Sequence, residues 1–477
     1  MLFNSIGFFI FLPICFVLYW AFFATHVKPR NLFILVISYV FYGWWDWRYL
    51  FLMSFCSLVS FGCGVWIERT QKSSTRKIAL AVGVILPLLV LGVYKYYDFF
   101  VVNFVSAFAT AGILLDIRTL QIILPVGISF FTFQAVGYTT DVYRKNIGAS
   151  RDPIAFLAFI SFFPQLVAGP IERASNLLPQ FATPRPFDRA SAVDGLRQML
   201  WGLFKKVVVA DTCAQHVNAI FDNAEHMPSL TLTWGAVLFA FQIYCDFSGY
   251  SDIAIGCARL FGFSLMRNFA FPYFSRDMAE FWRRWHISLS TWFRDYLYVP
   301  LGGSRGTMAM SVRNTFIIFI VSGFWHGANW TFIIWGALNA VYFLPLLLTG
   351  SNRRYIGTVA QYRWLPSPVE LLRMSSTFLL TCLAWIFFRS ATVGDAFVYI
   401  HRIFSFTKGI PPPLIDPPAL PILMGLVLVE WIQREKRHGL EMGDRIPKYT
   451  RWLIYCLLIF SIIQLGTEDS AFIYFQF

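Results

Sequence analysis

The stretch SGFWHGANW, Ser322–Trp330, is the part of the sequence that decides the predicted fold. It places His326 within 39 residues, Asn314 to Asn352, that contain no Asp, Glu, Lys or Arg. At about 1.5 Å of helical rise per residue, His326 would lie about 18 Å from the start of that stretch, near the middle of a bilayer. An ionisable side chain at this depth indicates function. One unbroken helix would be about 58 Å long, so we expect a break beyond Asn339 that divides the stretch into two spans.

The composition predicts an all-α polytopic membrane protein. Hydrophobic residues make up 57% of the chain and charged residues only 14%, against about a quarter in soluble domains. Several charge-free stretches, such as 78–94 and 99–115, are shorter than the roughly 20 residues that a perpendicular span needs. We expect about ten to twelve membrane helices plus re-entrant segments. Residues 1–477 are predicted to form a single membrane domain, with residues 226–352 as its core.

The net charge of +13 does not indicate nucleic-acid binding, because the basic residues lie in loops between apolar segments. This distribution follows the positive-inside pattern of membrane proteins. It predicts that the loops at 69–77, 353–373 and 434–451 are cytoplasmic and that residues 467–477 lie on the periplasmic side. An amphipathic run over 188–211 is expected at the cytoplasmic membrane face, with Arg189, Arg197, Lys205 and Lys206 directed to headgroups or to a cytoplasmic partner.

A second histidine, His286, lies 40 residues before His326 in FWRRWHISLSTW, residues 281–292. This segment is too polar to cross lipid as a bare helix, so it must be buried in protein or line a water-filled cavity. Two histidines in such surroundings favour an enzyme. The histidines form no His-x-His or His-x-x-x-His group and the eight cysteines form no CxxC pair, so no metal site is predicted.

Four motifs, in this order, closely resemble the membrane-bound O-acyltransferase family: YCDFSGYSD (244–252), the 281–292 segment, DYLYVPLGG (295–303) and SGFWHGANW (322–330). The resemblance is greatest to the bacterial branch that acetylates alginate, cellulose and peptidoglycan, and that also includes the D-alanyl transfer protein of teichoic acids. It extends over almost the whole chain. It implies a ring of helices around a central tunnel whose openings meet near the histidines.

The resemblance aligns His326 with a near-invariant histidine of the family. An imidazole suits the removal of a hydroxyl proton at neutral pH, so His326 is predicted to be the catalytic base. The alternative is a neutral histidine that only makes hydrogen bonds between helices. His286 is predicted to be a second acid–base group or a donor to the developing oxyanion, unless it merely organises the pocket.

Further side chains are expected to line the tunnel or to bind the substrate. Arg283, with Arg284, could clamp the phosphates of an acyl carrier or could lie at the membrane boundary. Asp246 and Asp252 are expected to form ion pairs with Arg259 or Arg294 rather than to catalyse. The tunnel-lining set is Asp246, Trp282, Arg283, Trp285, Ser288, Trp325 and Asn329.

The last residues of the sequence, FIYFQF (472–477), resemble a tyrosine motif proposed to relay acyl groups outward in related systems. Tyr474 is therefore a candidate acyl relay. An aromatic anchor at the membrane interface is an equally open interpretation.

The predicted function is transfer of an acetyl group from a cytosolic thioester, most simply acetyl-CoA, toward O-acetylation of an exported polysaccharide. No bound cofactor is expected, and an acyl carrier protein remains an alternative donor. The expected location is the bacterial cytoplasmic (inner) membrane, with a separate periplasmic acetyltransferase as partner. Alginate, cellulose and peptidoglycan all fit as acceptors. D-alanyl transfer by the same fold, and a transporter or flippase with a proton relay, are the alternative functions.

Overall fold

A computed structural model describes residues 1–406, 408–409, 418–443, 446–466 and 472–473. These residues are largely helical, and no strand occurs among them, as predicted for an all-α membrane protein. They form two compact units. The first comprises residues 1–195 with 257–266, and the second comprises residues 196–256 with 267–477.

The helices α1 to α11 begin before residue 250. They are α1 (Ile6–Leu18, continued by a π-helical turn, Tyr19–Phe23), α2 (Val27–Gly43), α3 (Arg48–Arg69), α4 (Ser73–Thr110), α5 (Ile128–Tyr143), α6 (Pro153–Ser161), α7 (Phe163–Leu166), α8 (Ala174–Ala182), α9 (Arg189–Leu203, continued by a π-helical segment, Phe204–Ala210), α10 (Asp211–Phe221) and α11 (Ser229–Leu260).

The remaining helices begin after residue 270. They are a 3-10 turn (Pro272–Phe274), α12 (Met278–Arg284), α13 (Ile287–Phe293, continued by a π-helical turn, Arg294–Tyr298), α14 (Met308–His326), α15 (Trp330–Leu348), α16 (Pro368–Arg389), α17 (Val393–Phe404), α18 (Ala419–Ile432) and α19 (Lys448–Leu465).

Eight of these helices are long and apolar enough to cross a membrane: residues 6–23, 48–69, 73–110, 229–260, 308–326, 330–348, 368–389 and 448–465. This number, which applies to the described part of the chain, is lower than the ten to twelve expected. Part of the difference lies in α4, which joins the predicted stretches 78–94 and 99–115 into one helix of 38 residues. Another part lies in α18, whose 14 residues would extend only about 21 Å, less than the roughly 30 Å hydrocarbon core.

The first unit is built on three mutually packed helices, α3, α4 and α5, with α2 packed on α6. One buried cation of this unit is held by backbone acceptors. The buried guanidinium of Arg30 donates to the carbonyl oxygens of Phe181 (2.8 Å) and Thr183 (2.6 Å), which fixes the end of α8. A cation this deeply buried is tolerated because its donors are occupied.

The second unit contains the predicted core motifs and is organised by a hairpin of α14 and α15, with α15 also packed on α16. The two hairpin helices approach closely because glycines face backbone. A Cβ atom on Gly323 would collide with the carbonyl oxygen of Phe332, and one on Gly336 would collide with the carbonyl oxygen of Phe319. Small residues permit this approach in membrane helices.

Candidate active site

The structure brings the two predicted catalytic histidines together in the second unit. The ring centroids of His286 and His326 are 6.4 Å apart. Both side chains are buried, with 1% and 4% of their surfaces exposed. His326 is the last residue of α14, and His286 lies between α12 and α13 with φ 43°. Residues distant in sequence therefore form one site.

The helix α14 ends at His326, so the predicted helix break beyond Asn339 is wrong. Gly327 leaves the helix in an extended conformation, and a Cβ atom there would collide with the ring of Phe332. The Oδ1 of Asn329 then accepts a hydrogen bond from the Thr331 amide (3.1 Å) and caps α15. His326 consequently stands at the end of a helix, about 28 Å from its beginning, and not in its middle.

His326 is enclosed by aromatic rings. The centroid distances are 4.8 Å to Trp325, 5.2 Å to Trp335 and 5.4 Å to Phe388. Trp335 in turn stacks on Trp385, with an interplanar angle of 17°. A wall of this kind lowers the local dielectric, which strengthens electrostatic interactions with a reacting group.

His286 is held by a buried amide. Asn268 donates through Nδ2 to Ser251 Oγ (3.2 Å), so its Oδ1 is the acceptor that faces Nδ1 of His286 at 3.1 Å. The hydroxyl of Ser288 donates to the same Oδ1 (2.9 Å). This network assigns the proton of the neutral ring to Nδ1 and leaves the lone pair on Nε2. Nε2 is buried and has no hydrogen-bond partner within the described residues.

The burial of His286 lowers the pKa of its imidazole to about 3 by desolvation of the charged form. The ring is therefore neutral at pH 7. A neutral ring with its proton on Nδ1 accepts a hydrogen bond at Nε2 and does not donate one. This arrangement supports a role as base or acceptor and disfavours the alternative role of oxyanion donor.

A cavity of about 250 Å³ is lined by residues that are near both histidines in the sequence, although neither histidine lines it. Trp282 and Ser322 contribute to its wall, and Ser322 is one helical turn before His326. Ser290 also lines it, and its amide donates to the carbonyl oxygen of His286 (3.0 Å). Two cations, Arg294 and Arg353, complete the lining. An apolar cavity with cations on its wall suits a narrow ligand that carries negative charge at one end.

The other predicted lining residues have several different roles. Trp285 is buried and packs on Trp385 at 5.1 Å, so it supports the wall and does not line the cavity. Trp325 lies beside both histidines, 6.1 Å from His286. Asn329, besides capping α15, donates through Nδ2 to the carbonyl oxygen of Ala391 (2.9 Å). These contacts give Asn329 an architectural role.

Arg283 and Arg284, the predicted phosphate clamp, bind other groups of the protein. Arg283 donates to the carbonyl oxygens of Asn352 and Tyr355, both at 2.7 Å. Arg284 forms an ion pair with Glu280 at 2.9 Å. Both arginines therefore hold the loop after α15 or their own helix, α12. Arg294, which pairs with Asp295, and Arg353 line the cavity instead.

The predicted partners of Asp246 and Asp252 are wrong. Lys205 pairs with Asp252 (2.6 Å), and Lys206 pairs with both Asp246 and Asp211 (2.8 Å each). The expected partners pair elsewhere: Arg259 with Asp194 and Arg294 with Asp295.

Lys205 and Lys206 are also not directed to headgroups, since they are 3% and 5% exposed. The amphipathic pattern did not predict this burial. The π-helical segment turns both lysines toward carboxylates that would otherwise be buried without a counter-charge.

Tyr474, the candidate relay, lies outside the described residues. The nearest described residues are Phe472 and Ile473, both buried. The Ile473 amide donates to Asp246 Oδ2 at 2.7 Å, which places this part of the chain against α11.

Three residues of the site were missed by sequence reasoning: Asn268, Ser322 and Trp335. Asn268 precedes the basic–aromatic segment by more than ten residues and carries no local motif. Ser322 could have been found by its four-residue spacing from His326 on one helix face. The described residues contain no group of three His, Cys, Asp or Glu side chains placed to hold a metal ion.

Comparison with known proteins gives matches over most of the chain. The model of the MBOAT, membrane-bound O-acyltransferase, family matches residues 144–387. A probable alginate O-acetylase of Pseudomonas putida is 38% identical over 502 aligned residues, covering 99% of each chain.

Two more distant relatives have other acceptors or acyl groups in their names. A peptidoglycan O-acetyltransferase of Helicobacter pylori is 34% identical, covering 83% of this chain and 78% of its own. A teichoic acid D-alanyltransferase of Bacillus subtilis is 28% identical, covering 55% of this chain and 68% of its own. With a family match that includes both histidines and a 38% identical relative aligned along its full length, this chain belongs to the membrane-bound O-acyltransferase family.

Proposed function

We propose that this O-acyltransferase takes an acetyl group from a cytosolic thioester, most simply acetyl-CoA, and transfers it toward O-acetylation of an exported polysaccharide. The name of the P. putida relative supports alginate or a similar acidic polysaccharide as the acceptor. The observation that carries the proposal is the pair of buried histidines, 6.4 Å apart, in the same unit as a cavity lined by two arginines.

The proposed chemistry is general-base acyl transfer. The acceptor oxygen attacks the thioester carbonyl carbon while His326 takes the hydroxyl proton. The C–S bond of the tetrahedral intermediate then breaks, and the protonated imidazole gives its proton to the departing thiolate. One ester and one thiol replace one hydroxyl and one thioester, so the base is regenerated.

His286 has a different role in this proposal. Its Nε2 lone pair accepts a hydrogen bond from a second donor, such as a neighbouring hydroxyl or a water, because the single proton of the attacking hydroxyl goes to His326. Asn268 fixes the ring of His286 through Nδ1, so this contact helps to orient the acceptor. With a pKa of about 3, the imidazole of His286 stays neutral and is a weak proton acceptor. The ideal pKa of a general base is near the working pH, so His286 is poorly suited to proton abstraction, and the proposal assigns this step to His326.

The cavity supports a thioester donor. Its volume of about 250 Å³ is below the roughly 300–1,000 Å³ of pockets for drug-sized ligands, so it suits a slender pantetheine arm and not a whole nucleotide. The guanidinium groups of Arg294 and Arg353 are suited to phosphate oxygens. Coenzyme A and an acyl carrier protein both present a phosphopantetheine arm, and both remain donors under this proposal.

A transfer assay tests the proposal. Purified protein in lipid vesicles would receive acetyl-CoA with a radiolabelled acetyl group, in competition with a D-alanyl thioester of a carrier protein. We expect acetyl-CoA to be consumed and the thiol to be released. Preferential consumption of the D-alanyl thioester would favour the alternative acyl group, and no thioester consumption would favour a transporter.

The orientation in a bacterial inner membrane is part of the proposal, and it predicts labelling by an impermeant maleimide. The loops 69–77, 353–373 and 434–451 are proposed to be cytoplasmic because they carry the basic residues. In a Cys456→Ser background, which removes the exposed native thiol, Ser470→Cys should label from outside the cell and Lys436→Cys only after lysis. The opposite labelling would reverse the orientation.

Tyr474 is proposed to receive the acetyl group before a separate periplasmic acetyltransferase completes the transfer. Tyrosine has a pKa near 10, well below that of a sugar hydroxyl, so its ester is activated for onward transfer. Tyr474→Phe retains the aromatic ring and removes only the oxygen. We expect it to lose polysaccharide acetylation, whereas Tyr449→Phe, at an exposed tyrosine, should behave as wild type. Normal acetylation by the Tyr474→Phe variant would leave only an anchoring role.

A further inference from the structure

Asp246 belongs to a buried charge cluster that contains more acid than base. Lys205 and Lys206 are surrounded by Asp211, Asp246 and Asp252, so two cations face three carboxylates. Burial by itself lowers the pKa of Lys206, but Asp246 and Asp211 outweigh it and raise the pKa to about 12, so this lysine is charged. A surplus buried carboxylate is costly unless hydrogen-bond donors satisfy it.

The second oxygen of Asp246 is satisfied by a distant part of the chain. While Oδ1 faces Lys206, Oδ2 accepts the amide of Ile473 at 2.7 Å, across 227 residues of sequence. A hydrogen bond from a backbone amide to a carboxylate is among the stronger ones in proteins. Oδ2 of this surplus carboxylate is therefore bound by a main-chain amide and not by a side chain.

The adjacent ring adds a second contact on the same face of α11. Phe472 packs on Tyr250 with ring centroids 4.9 Å apart, and Tyr250 is one turn from Asp246. Phe472 is also 6.2 Å from Phe247, whose ring is 4.7 Å from that of His286. The ring of Phe247 therefore connects the segment 472–473 to His286.

We propose that Asp246, held by Lys206, is the docking residue for the segment 472–473 and thereby a positioning residue for the proposed transfer to Tyr474. The docking contact anchors the main chain one residue before Tyr474, next to the histidine site. The last step rests on the proposed function, whereas the docking contact does not. Asp246 does not line the cavity and acts only through the segment that it holds.

Amide hydrogen exchange measures the docking directly. In the full-length protein in detergent, the Ile473 amide should exchange about 10- to 100-fold faster in Asp246→Ala than in wild type, as expected for loss of a hydrogen bond to a charged acceptor. Asp246→Asn, which keeps an acceptor oxygen without the charge, should give a smaller increase. Lys206 retains Asp211 as a partner in both variants, and size-exclusion chromatography would check that they fold.

Asp252→Ala is the matched control, because it removes a carboxylate from the same helix and the same cluster without touching Ile473. It should leave the exchange of Ile473 unchanged. Equal exchange in wild type and Asp246→Ala would overturn the docking. Faster exchange with undiminished polysaccharide acetylation would overturn the positioning role. Failure of the proposed function is recognised separately, by full acetylation in a His326→Ala variant that leaves the exchange of Ile473 unaltered.

Discussion

His326→Ala is expected to reduce polysaccharide acetylation by at least about 100-fold at unchanged protein abundance in the membrane, because general acid–base groups contribute about 10²–10⁴-fold. The residue ends α14, so the substitution does not interrupt a helix. The measurement is ester content of the polysaccharide, normalised to the amount of membrane protein. His286→Ala should lose less activity, since its ring is assigned to orientation.

Two further variants separate proton transfer from packing. His326→Gln retains a polar side chain of similar size but has no basic nitrogen, and we expect it to be as inactive as the alanine variant. His401→Ala removes an exposed histidine and should retain full activity. Substantial acetylation by His326→Gln would show that the ring serves packing, and the general-base assignment would then be abandoned.

Lys206→Met should destabilise the protein by about 3–5 kcal/mol, because it leaves Asp211 and Asp246 buried without their cation. The methionine fills nearly the same space, so the loss measures charge and not volume. Thermal unfolding in detergent, compared with Lys77→Met at an exposed position, would detect it.

A compensating variant tests the reason for this loss. Lys206→Met combined with Asp211→Asn and Asp246→Asn removes the whole charge group, and we expect it to be more stable than Lys206→Met alone. A triple variant that is less stable than the single one would show that the carboxylates have other essential contacts.

The histidine pair was predictable because its chemistry is unusual for its surroundings. An imidazole in a long charge-free stretch, and a second one among tryptophans and arginines, can be identified without coordinates. The distance between them could not be derived, since it depends on how α12 and α13 pack in the second unit. Asn268 was not predicted for the same reason. Its role depends on contacts with Ser251, His286 and Ser288, which only the folded chain brings together.

The end of the helix at His326 was predictable from the residues that follow it, but the prediction gave more weight to bilayer thickness. Gly327 and Asn329 are residues that commonly terminate and cap helices. Bilayer thickness alone favours a break farther along the chain. The local signal of these two residues was the correct one.

The ion pairs of the core were the least predictable feature. Lys205 and Lys206 read as surface residues because their segment is amphipathic in an α-helical projection, whereas the chain is π-helical over Phe204–Ala210. The wider turn changes which side chains share a face. A sequence pattern with a period of 3.6 residues does not represent such a segment.

The buried charge cluster also has a consequence for biosynthesis. The span α11 carries Asp246 and Asp252, and each carboxylate adds about 2.5–3.5 kcal/mol to the cost of inserting a helix from the translocon. Lys205 and Lys206 precede Asp246 by about 40 residues and leave the ribosome first. The counter-charges are therefore already synthesised when the acidic helix arrives, and it can be neutralised on entry. If the acidic helix were synthesised before the lysines, its carboxylates would enter the membrane without counter-charges.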